Sequence, residues 1–391
     1  MSWPTVQLGD AYWFQEGPGI RNWQFKNSGI KLLNVGNIEK VGRINLAKTD
    51  RHISLDEAYG KYKHFLCDEG DLVIASSGIS IDDDGYLRTR GCFIEKQHLP
   101  LCINTSTIRF KSLGNNDLSY LKHWLQSVEF RRQITKLVTG SAQLNFGPSH
   151  LKQLKISIPP LAEQQRIAEI LDKAAAIKAK REQAITKLDE LAQSALNEIY
   201  DCSEEFAELS IKDLMKKSSP IPAEKSKVWS LSLEQIESNS GKIIEKIEVK
   251  PSKLGTSTYY FEPPVVLYSK LRPYLNKVAS PDSEGYATTE LVPLYCDQNK
   301  VLPSFMATYL RSKKFVEFAN TNSAGAKMPR VMMDKFWSHK VALPPLDKQK
   351  KFELLFERCN ELRLTHESSL LNFEKFIASL QHQAFTTGFA A

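Results

Sequence analysis

Two stretches decide how this chain is read. "IPPLAEQQRIAEILDKAAAIKAKREQAITKLDELAQSALNEIY" runs from 158 to 200, and "LPPLDKQKKFELLFERCNELRLTHESSLLNFEKFIASLQHQAF" runs from 343 to 385. A constant offset of 185 carries Pro159-Pro160-Leu161 onto Pro344-Pro345-Leu346, Gln164 onto Gln349, Arg166 onto Lys351 and Ile167 onto Phe352. Two prolines preset the backbone of a first turn and keep the preceding residues out of the helix. The interiors are rich in Ala, Leu, Glu, Lys, Gln and Arg, all good helix formers. Each stretch therefore reads as one helix of about forty residues, roughly 60 Å long at 1.5 Å per residue.

The spacing predicts a seam on each helix. In the first it is Ile170, Ala174, Ile177, Arg181, Ala184, Leu188, Leu191 and Ala195. In the second it is Leu355, Cys359, Leu362, His366, Ser369, Phe373, Phe376 and Leu380. One seam is thin and the other carries phenylalanines, so the pair would fill space if packed antiparallel. Arg181 and His366 interrupt near mid-stripe and would face each other.

The repeat extends upstream. Gly140 falls on Gly325 at the same offset, "IKLLNVGNIE" (30–39) parallels "VWSLSLEQIE" (228–237), and "FLCDEGDLVIASSG" (65–78) parallels "YFEPPVVLYSKLR" (260–272). Short apolar runs bounded by Gly, Pro, Asp and Asn predict strands at 30–35, 70–76, 102–110, 263–269 and 288–295. Apolar residues at helical spacing predict a helix at 117–138 and another at 302–320. The fold class is α+β: a recognition-type module at 1–157, a helix at 158–200, a second module at 205–342 and a C-terminal helix at 343–385. Two α+β modules separated by two long antiparallel helices form an internal repeat with a pseudo-two-fold axis.

Composition bounds the function. The 391 residues carry a net charge of +7, which suits a polyanionic partner without proving one. No apolar run is long enough to cross a bilayer and no leader pattern opens the chain, so the expected location is the cytoplasm. The six cysteines, Cys67, Cys92, Cys102, Cys202, Cys296 and Cys359, form no CxxC pair and read as free thiols.

The polar chemistry lies in the loops. "GPGIRNWQFKN" (17–27) offers Arg21 and Lys26, "SSGISIDDDGYLRTRG" (76–91) offers Ser77, Arg88 and Arg90, and "TGSAQLNFG" (139–147) offers Ser141, Gln143 and Asn145. The second module offers Lys270, Arg272, Tyr274 and Lys277 in "SKLRPYLNK" (269–277), then Lys327 and Arg330 in "NSAGAKMPRV" (322–331). Arg, Lys, Asn and Gln pair with base edges, and Lys, Arg and Ser with phosphates. Singly each residue also reads as an ordinary solvated side chain; as a set in matched loops of two repeats they point to DNA. The acidic tip Asp82-Asp83-Asp84 would face cytosine amino groups or solvent rather than phosphates.

Catalytic motifs are missing. Gly60-Lys61 and Gly241-Lys242 lack the rest of a phosphate loop, and Glu262-Pro263-Pro264-Val265 lacks both ends of an amino-methyltransferase loop. The chain reads as a binder rather than an enzyme, with no metal site and no cofactor of its own.

These residues carry a family resemblance. "GSAQLNFGPSHLKQLKISIPPLAEQQRIAEILD" (140–172) resembles the specificity subunit of type I restriction–modification systems. The second copy, "AGAKMPRVMMDKFWSHKVALPPLDKQKKF" (324–352), is more divergent: it keeps Pro-Pro-Leu and Gln349 but lacks the Gly-Ser pair and the glutamate found at 163. The resemblance implies two target recognition domains, each reading one half of a bipartite double-stranded DNA site. It implies helices that fix the gap and dock two methyltransferase subunits, with motor-nuclease subunits added for cleavage. S-adenosylmethionine, ATP and magnesium would then belong to the partners. Gln164, Arg166, Gln349 and Lys351 are the candidate partner contacts, or simply the solvated starts of their helices. The competing reading is a coiled-coil scaffold with two protein-binding modules and no DNA role.

Overall fold

The computed structural model describes residues 3–39, 42–78, 86–87, 89–138, 145–201, 205–218, 220–222, 224–255, 257–386 and 388–389. The chain forms two compact units. One is Met1–Lys180 with Leu371–Ala391, and the other is Arg181–Leu370. Each contains one variable module and a portion of both long helices. Those helices are Leu161–Asp201 and Leu346–Thr386, each of 41 residues and each starting at the leucine after its double proline. The carbonyl of Pro160 accepts from the N–H groups of Glu163 and Gln164, and that of Pro345 from Lys348 and Gln349, so the prolines supply the first acceptor of each helix.

In the first unit a four-stranded antiparallel sheet runs in the order Tyr12–Glu16, Thr107–Ser112, Leu72–Ala75, Gly91–Phe93. A three-stranded sheet pairs Ile30–Leu33 with His52–Ile53 and, in parallel, with Leu101–Ile103. The run expected as one strand at 102–110 is two, because Asn104 turns the chain by accepting from the Ser106 N–H and hydroxyl. The core gathers Tyr12, Leu72, Ile108, Phe110, Tyr120, Trp124 and Phe130 with Ile167 and Leu171 of the first long helix and Ala384 and Phe385 of the second.

The second unit repeats the plan. Val266–Ser269 pairs with Val278–Ala279 and Leu291–Leu294. Val228–Leu231 pairs in parallel with Gly285–Thr288, as its counterpart at 30–33 pairs with 101–103. Leu196 and Phe352 of the long helices enter a core with Tyr268, Phe305, Phe315 and Phe336.

The helix expected at 117–138 is two helices, Leu118–Trp124 and Val128–Leu137, and the one at 302–320 is Pro303–Arg311 and Lys313–Thr321. The break falls at Ser127 and Ser312, positions related by the repeat offset. Each hydroxyl accepts from the N–H three residues on, that of Phe130 or Phe315, and starts a new helix as its N-cap.

Gln164 and Gln349 are not partner contacts. Their side chains are 1% and 0% exposed. Gln164 Oε1 accepts the Asp117 N–H at 2.8 Å, and its Nε2 donates to the Pro159 carbonyl at 2.8 Å and to Asn116 Oδ1 at 3.2 Å. Gln349 Oε1 accepts the Leu302 N–H at 2.9 Å, and its Nε2 donates to the carbonyls of Pro344 at 2.8 Å and Lys300 at 2.9 Å. Asp117 and Leu302 are the N-caps of the module helices. One buried amide thus ties the start of each long helix to the start of a module helix.

The seam expected from the spacing is occupied in part: Ala174 and Cys359 on it are buried and Arg181 meets Ser369 across it. Ile177, Leu191, Leu362 and Phe376 are 44, 47, 37 and 53% exposed, while Ile167, Leu171, Ala192 and Leu196 are buried. The ends are decided by the module cores, which capture the apolar residues at 167, 171, 196 and 352, and the stripe follows from there. Between the cores the pairing is polar. Within the first unit Lys178 meets Glu374 at 2.7 Å; within the second Arg363 meets Asp189 at 4.0 Å. Arg181 donates to Ser369. In both units the partners run antiparallel. Five described cysteines are free and buried, and no described helix is long and apolar enough to cross a membrane.

Two stability predictions follow from buried polar groups. Gln164→Ala removes the partner of the Asp117 N–H, the Pro159 carbonyl and Asn116 Oδ1, Gln349→Ala that of the Leu302 N–H and the carbonyls of Pro344 and Lys300, and each should cost about 1–3 kcal/mol in chemical denaturation. The second concerns Asp172, whose carboxylate is held down to about 2 chiefly by the hydrogen bond from buried His123 at 2.8 Å. A carboxyl depressed on folding adds stability above its unfolded pKa and loses it as pH falls through the folded value. The melting-temperature gap between the parent and Asp172→Asn should therefore be open at neutral pH and close between about pH 4 and pH 2.

Candidate nucleic-acid interface

The loops singled out by sequence leave from one end of a sheet in each unit. In the first unit, Glu16 is paired with Ile108 and Ala75 with Thr107, so the end of one strand, the start of the next and the end of a third lie together. From this end the segment 17–27 departs, with Gly17 N–H donating to the Thr107 carbonyl at 3.2 Å. Gly17 lies so close to the Asn104 backbone that a Cβ there would fall 2.4 Å from it, which requires glycine. Half-buried Ser77 follows the middle strand, and the loop before 147 meets it there. Phe146 N–H donates to the Ser76 carbonyl at 3.0 Å, and exposed Asn145 accepts from Gly78 N–H at 3.3 Å.

The same two loops meet in the second unit. Ser269 pairs with Leu291, and the chain after Ser269 runs against 329–331: Arg272 N–H donates to the Pro329 carbonyl at 2.7 Å and Val331 N–H to the Lys270 carbonyl at 2.9 Å. This brings Lys270, Arg272, Tyr274, Lys327 and Arg330 onto one edge, with Lys327 exposed and Tyr274 53% exposed.

Not every predicted residue is available there. Arg330 is engaged by Glu290, its Nε and Nη2 lying 3.1 and 2.9 Å from Oε1, and this carboxylate holds its pKa above the usual value. Lys277 is turned inward, its Nζ donating to the Leu233 carbonyl at 2.6 Å. Arg90 is half-buried and donates to the Ile38 carbonyl at 3.3 Å, so it braces the module rather than facing outward. Arg21 and Lys26 are exposed. Arg88, Ser141, Gln143 and the tip Asp82-Asp83-Asp84 lie outside the described residues. On the long helices Arg166 is exposed and pairs with Glu163 one turn back at 3.3 Å, and Lys351 is exposed.

Sequence reasoning missed the groups that shape this edge. Arg311 is half-buried, and loss of hydration together with neighbouring Arg363 pushes its pKa down to about 10, so it stays cationic at neutral pH. Its guanidinium donates to the carbonyls of Ser240 and Val278, and its own carbonyl accepts from Asn276 Nδ2 at 3.0 Å. It thereby fixes the far side of the loop that carries Tyr274. Nothing in its sequence neighbourhood distinguishes it from a surface arginine at a helix end. Likewise Arg109, with the appearance of a strand cation, is 4% exposed and spends its charge on Asp71 and on loop carbonyls.

Residues 2–187 match the type I restriction modification DNA specificity domain. The chain is 29% identical over 202 residues to the type I restriction enzyme MjaVIII specificity subunit of Methanocaldococcus jannaschii, covering 47% of this chain and 43% of that protein. It is 22% identical over 154 residues to the Escherichia coli type I restriction enzyme EcoDI specificity subunit, covering 38% and 34%. The chain thus matches less than half the length of these curated relatives. In fold it is similar to the crystal structure of a type I restriction–modification S subunit from M. genitalium, with a TM-score of 0.54 at 14% identity over 99% of this chain and 97% of that one. A structure described for complex assembly of the type I R-M system gives the same TM-score of 0.54 at 12% identity, over 99% and 98%.

The Glu290–Arg330 pair allows a direct check. Glu290→Gln releases Arg330 and adds one positive charge to the edge. Because this ion pair is partly exposed, stability should change by less than about 1 kcal/mol. Non-specific DNA affinity measured by anisotropy should rise and its dependence on salt should steepen by about one counterion.

Proposed function

We propose that this chain is the sequence-reading subunit of a type I restriction–modification complex, each unit reading one half of a bipartite double-stranded DNA site. The observation that carries the reading is the duplicated edge. In each unit two loops meet beside the end of a matching strand, through Ser76 with Phe146 and Gly78 with Asn145 in the first and through Lys270 with Val331 and Arg272 with Pro329 in the second. The net charge of +7 and the specificity domain at residues 2–187 support it.

The chemistry belongs to partners. A base inside a duplex must be extruded before its amino group is methylated, and this chain contributes no motif for that transfer. Two methyltransferase subunits would carry S-adenosylmethionine, and restriction subunits, where present, ATP and magnesium. The long helices supply surface for docking: Arg166 and Lys351 at their starts, and leucines left in solvent at 191, 354, 364 and 371, which are 47, 69, 61 and 56% exposed. Exposed leucines in such number on regular helices are what a partner surface needs.

The test is to map adenine methylation across the host genome with and without this gene. Loss of methylation at one gapped motif on deletion is the expected result and reveals the bases at once. An unchanged methylome in cells that express the chain with its methyltransferase partner would overturn the reading and favour the scaffold.

A further inference from the structure

Both units present an exposed aromatic ring on a short turn capped by an arginine, and these turns do not correspond in the repeat. In the first unit the turn is Asn22–Gln24, with Arg21 as its cap and Trp23 77% exposed. In the second it is Pro273–Leu275, with Arg272 as its cap and Tyr274 53% exposed. The first follows the outer strand Tyr12–Glu16 and the second follows Val266–Ser269, whose counterpart is Leu72–Ala75. Duplication therefore does not account for the likeness.

Each turn is anchored from behind. Gln24 is buried, its Nε2 donating to Glu57 Oε1 at 2.7 Å and to the Tyr62 hydroxyl at 3.0 Å, while its Oε1 accepts from Arg21 N–H at 3.0 Å. Lys26 N–H reaches the His52 carbonyl at 2.9 Å, and Arg51 lies 5.0 Å from the Phe25 ring. On the other turn Arg272 and Asn276 both hold left-handed backbone, with φ of 49° and 50°, which costs energy in any residue but glycine. Arg272 N–H to Pro329 and Asn276 Nδ2 to Arg311 maintain it. The Arg272 Nε is buried with no hydrogen-bond partner.

Tethered backbone on both sides keeps these rings from folding back onto their own unit. Cations flank both turns along the chain, Arg21 and Lys26 in one unit and Lys270 and Arg272 in the other, while the carboxylates close by are engaged, Glu57 by Gln24 and Glu290 by Arg330. A large aromatic among cations fits a polyanion that itself offers aromatic faces. We propose that Trp23 and Tyr274 are stacking residues, one per unit. Each would seat its ring against a base exposed where the duplex opens, while the capping arginine meets a phosphate or base edge. This rests on the DNA-reading function above.

The experiment uses the full chain co-expressed with its methyltransferase partner. The probe is a duplex carrying the gapped motif read from the methylome, with 2-aminopurine beside each methylated adenine. Trp23→Ala and Tyr274→Ala should each weaken binding roughly tenfold or more and abolish the fluorescence change in one half of the site only. Trp23→Phe and Tyr274→Phe should restore most of both, and melting temperatures should stay at the parent value because the rings are exposed. Alanine variants that bind and report like the parent would overturn the stacking role, and so would phenylalanine variants as weak as alanine. Loss of partner assembly with DNA affinity retained would also overturn it, assigning the rings to a protein contact. A parent complex that binds no gapped duplex would instead overturn the underlying DNA reading, and is distinguished by that control.

Discussion

Everything in each unit hangs on a buried primary amide. Gln164 holds the Pro159 carbonyl, Asn116 Oδ1 and the Asp117 N–H, and Gln349 holds the carbonyls of Pro344 and Lys300 and the Leu302 N–H, where a double proline ends and a long helix begins. Proline has no N–H, so a chain entering a helix through Pro-Pro brings carbonyls that need a donor. The module helix arriving at the same place brings the opposite problem, a first N–H with no acceptor. A glutamine one turn into the long helix answers both because it donates and accepts from one planar group. Buried polar groups of this kind are costly when half satisfied and orienting when fully satisfied. Each glutamine therefore orients the start of its long helix alongside the apolar contacts that Ile167, Leu171 and Phe352 make with the module cores.

The long helices rely on this because they have little else along their middles. Their apolar residues are captured at the ends, Ile167 and Leu171 in one core and Leu196 and Phe352 in the other. Between them lie Lys178 with Glu374 in the first unit, and Arg181 with Ser369 and Asp189 with Arg363 in the second. Partly exposed ion pairs contribute little stability. They do specify register, since a slipped pairing would set like charges together. Leucines at 354, 364 and 371 stay in solvent as a consequence.

The architecture was legible because its signals are local and repeated. Double prolines, a constant offset and long runs of helix-forming residues placed both helices, although each starts after its prolines, at Leu161 and Leu346 rather than at 158 and 343. The interior details were not legible, for reasons that differ. Ser127 and Ser312 look like helix residues by spacing, and only the tertiary fold reveals that they cap a second helix. Gln164 looks like a solvated polar residue because an amide buried by hydrogen bonds carries no apolar signature. The seam was legible only in part because a heptad reading weighs every apolar residue alike, whereas Ala174 and Cys359 are buried and Ile177, Leu191, Leu362 and Phe376 are not. Arg90 and Arg109 were indistinguishable from Arg21 by type, although the former two are spent on backbone carbonyls inside the fold.

The candidate interface shows the same division of labour. Its loops are shaped by backbone hydrogen bonds and by groups behind them: Ser76 with Phe146, Lys270 with Val331, Arg272 with Pro329, and Arg311 across Asn276 and Val278. Few of the exposed side chains, among them Arg21, Trp23, Asn145, Tyr274 and Lys327, take part in holding these loops through their own side-chain atoms; Asn145 is the exception, through Gly78. A loop held by its main chain tolerates exchange of the side chains it displays. A reader built this way can change what it reads without losing its shape, whereas replacement of Gln24, Arg311 or the helix-start glutamines would disturb the frame itself. Specificity and stability therefore sit on separate residues of the same short segments, and a substitution's effect depends on which side of the loop it faces.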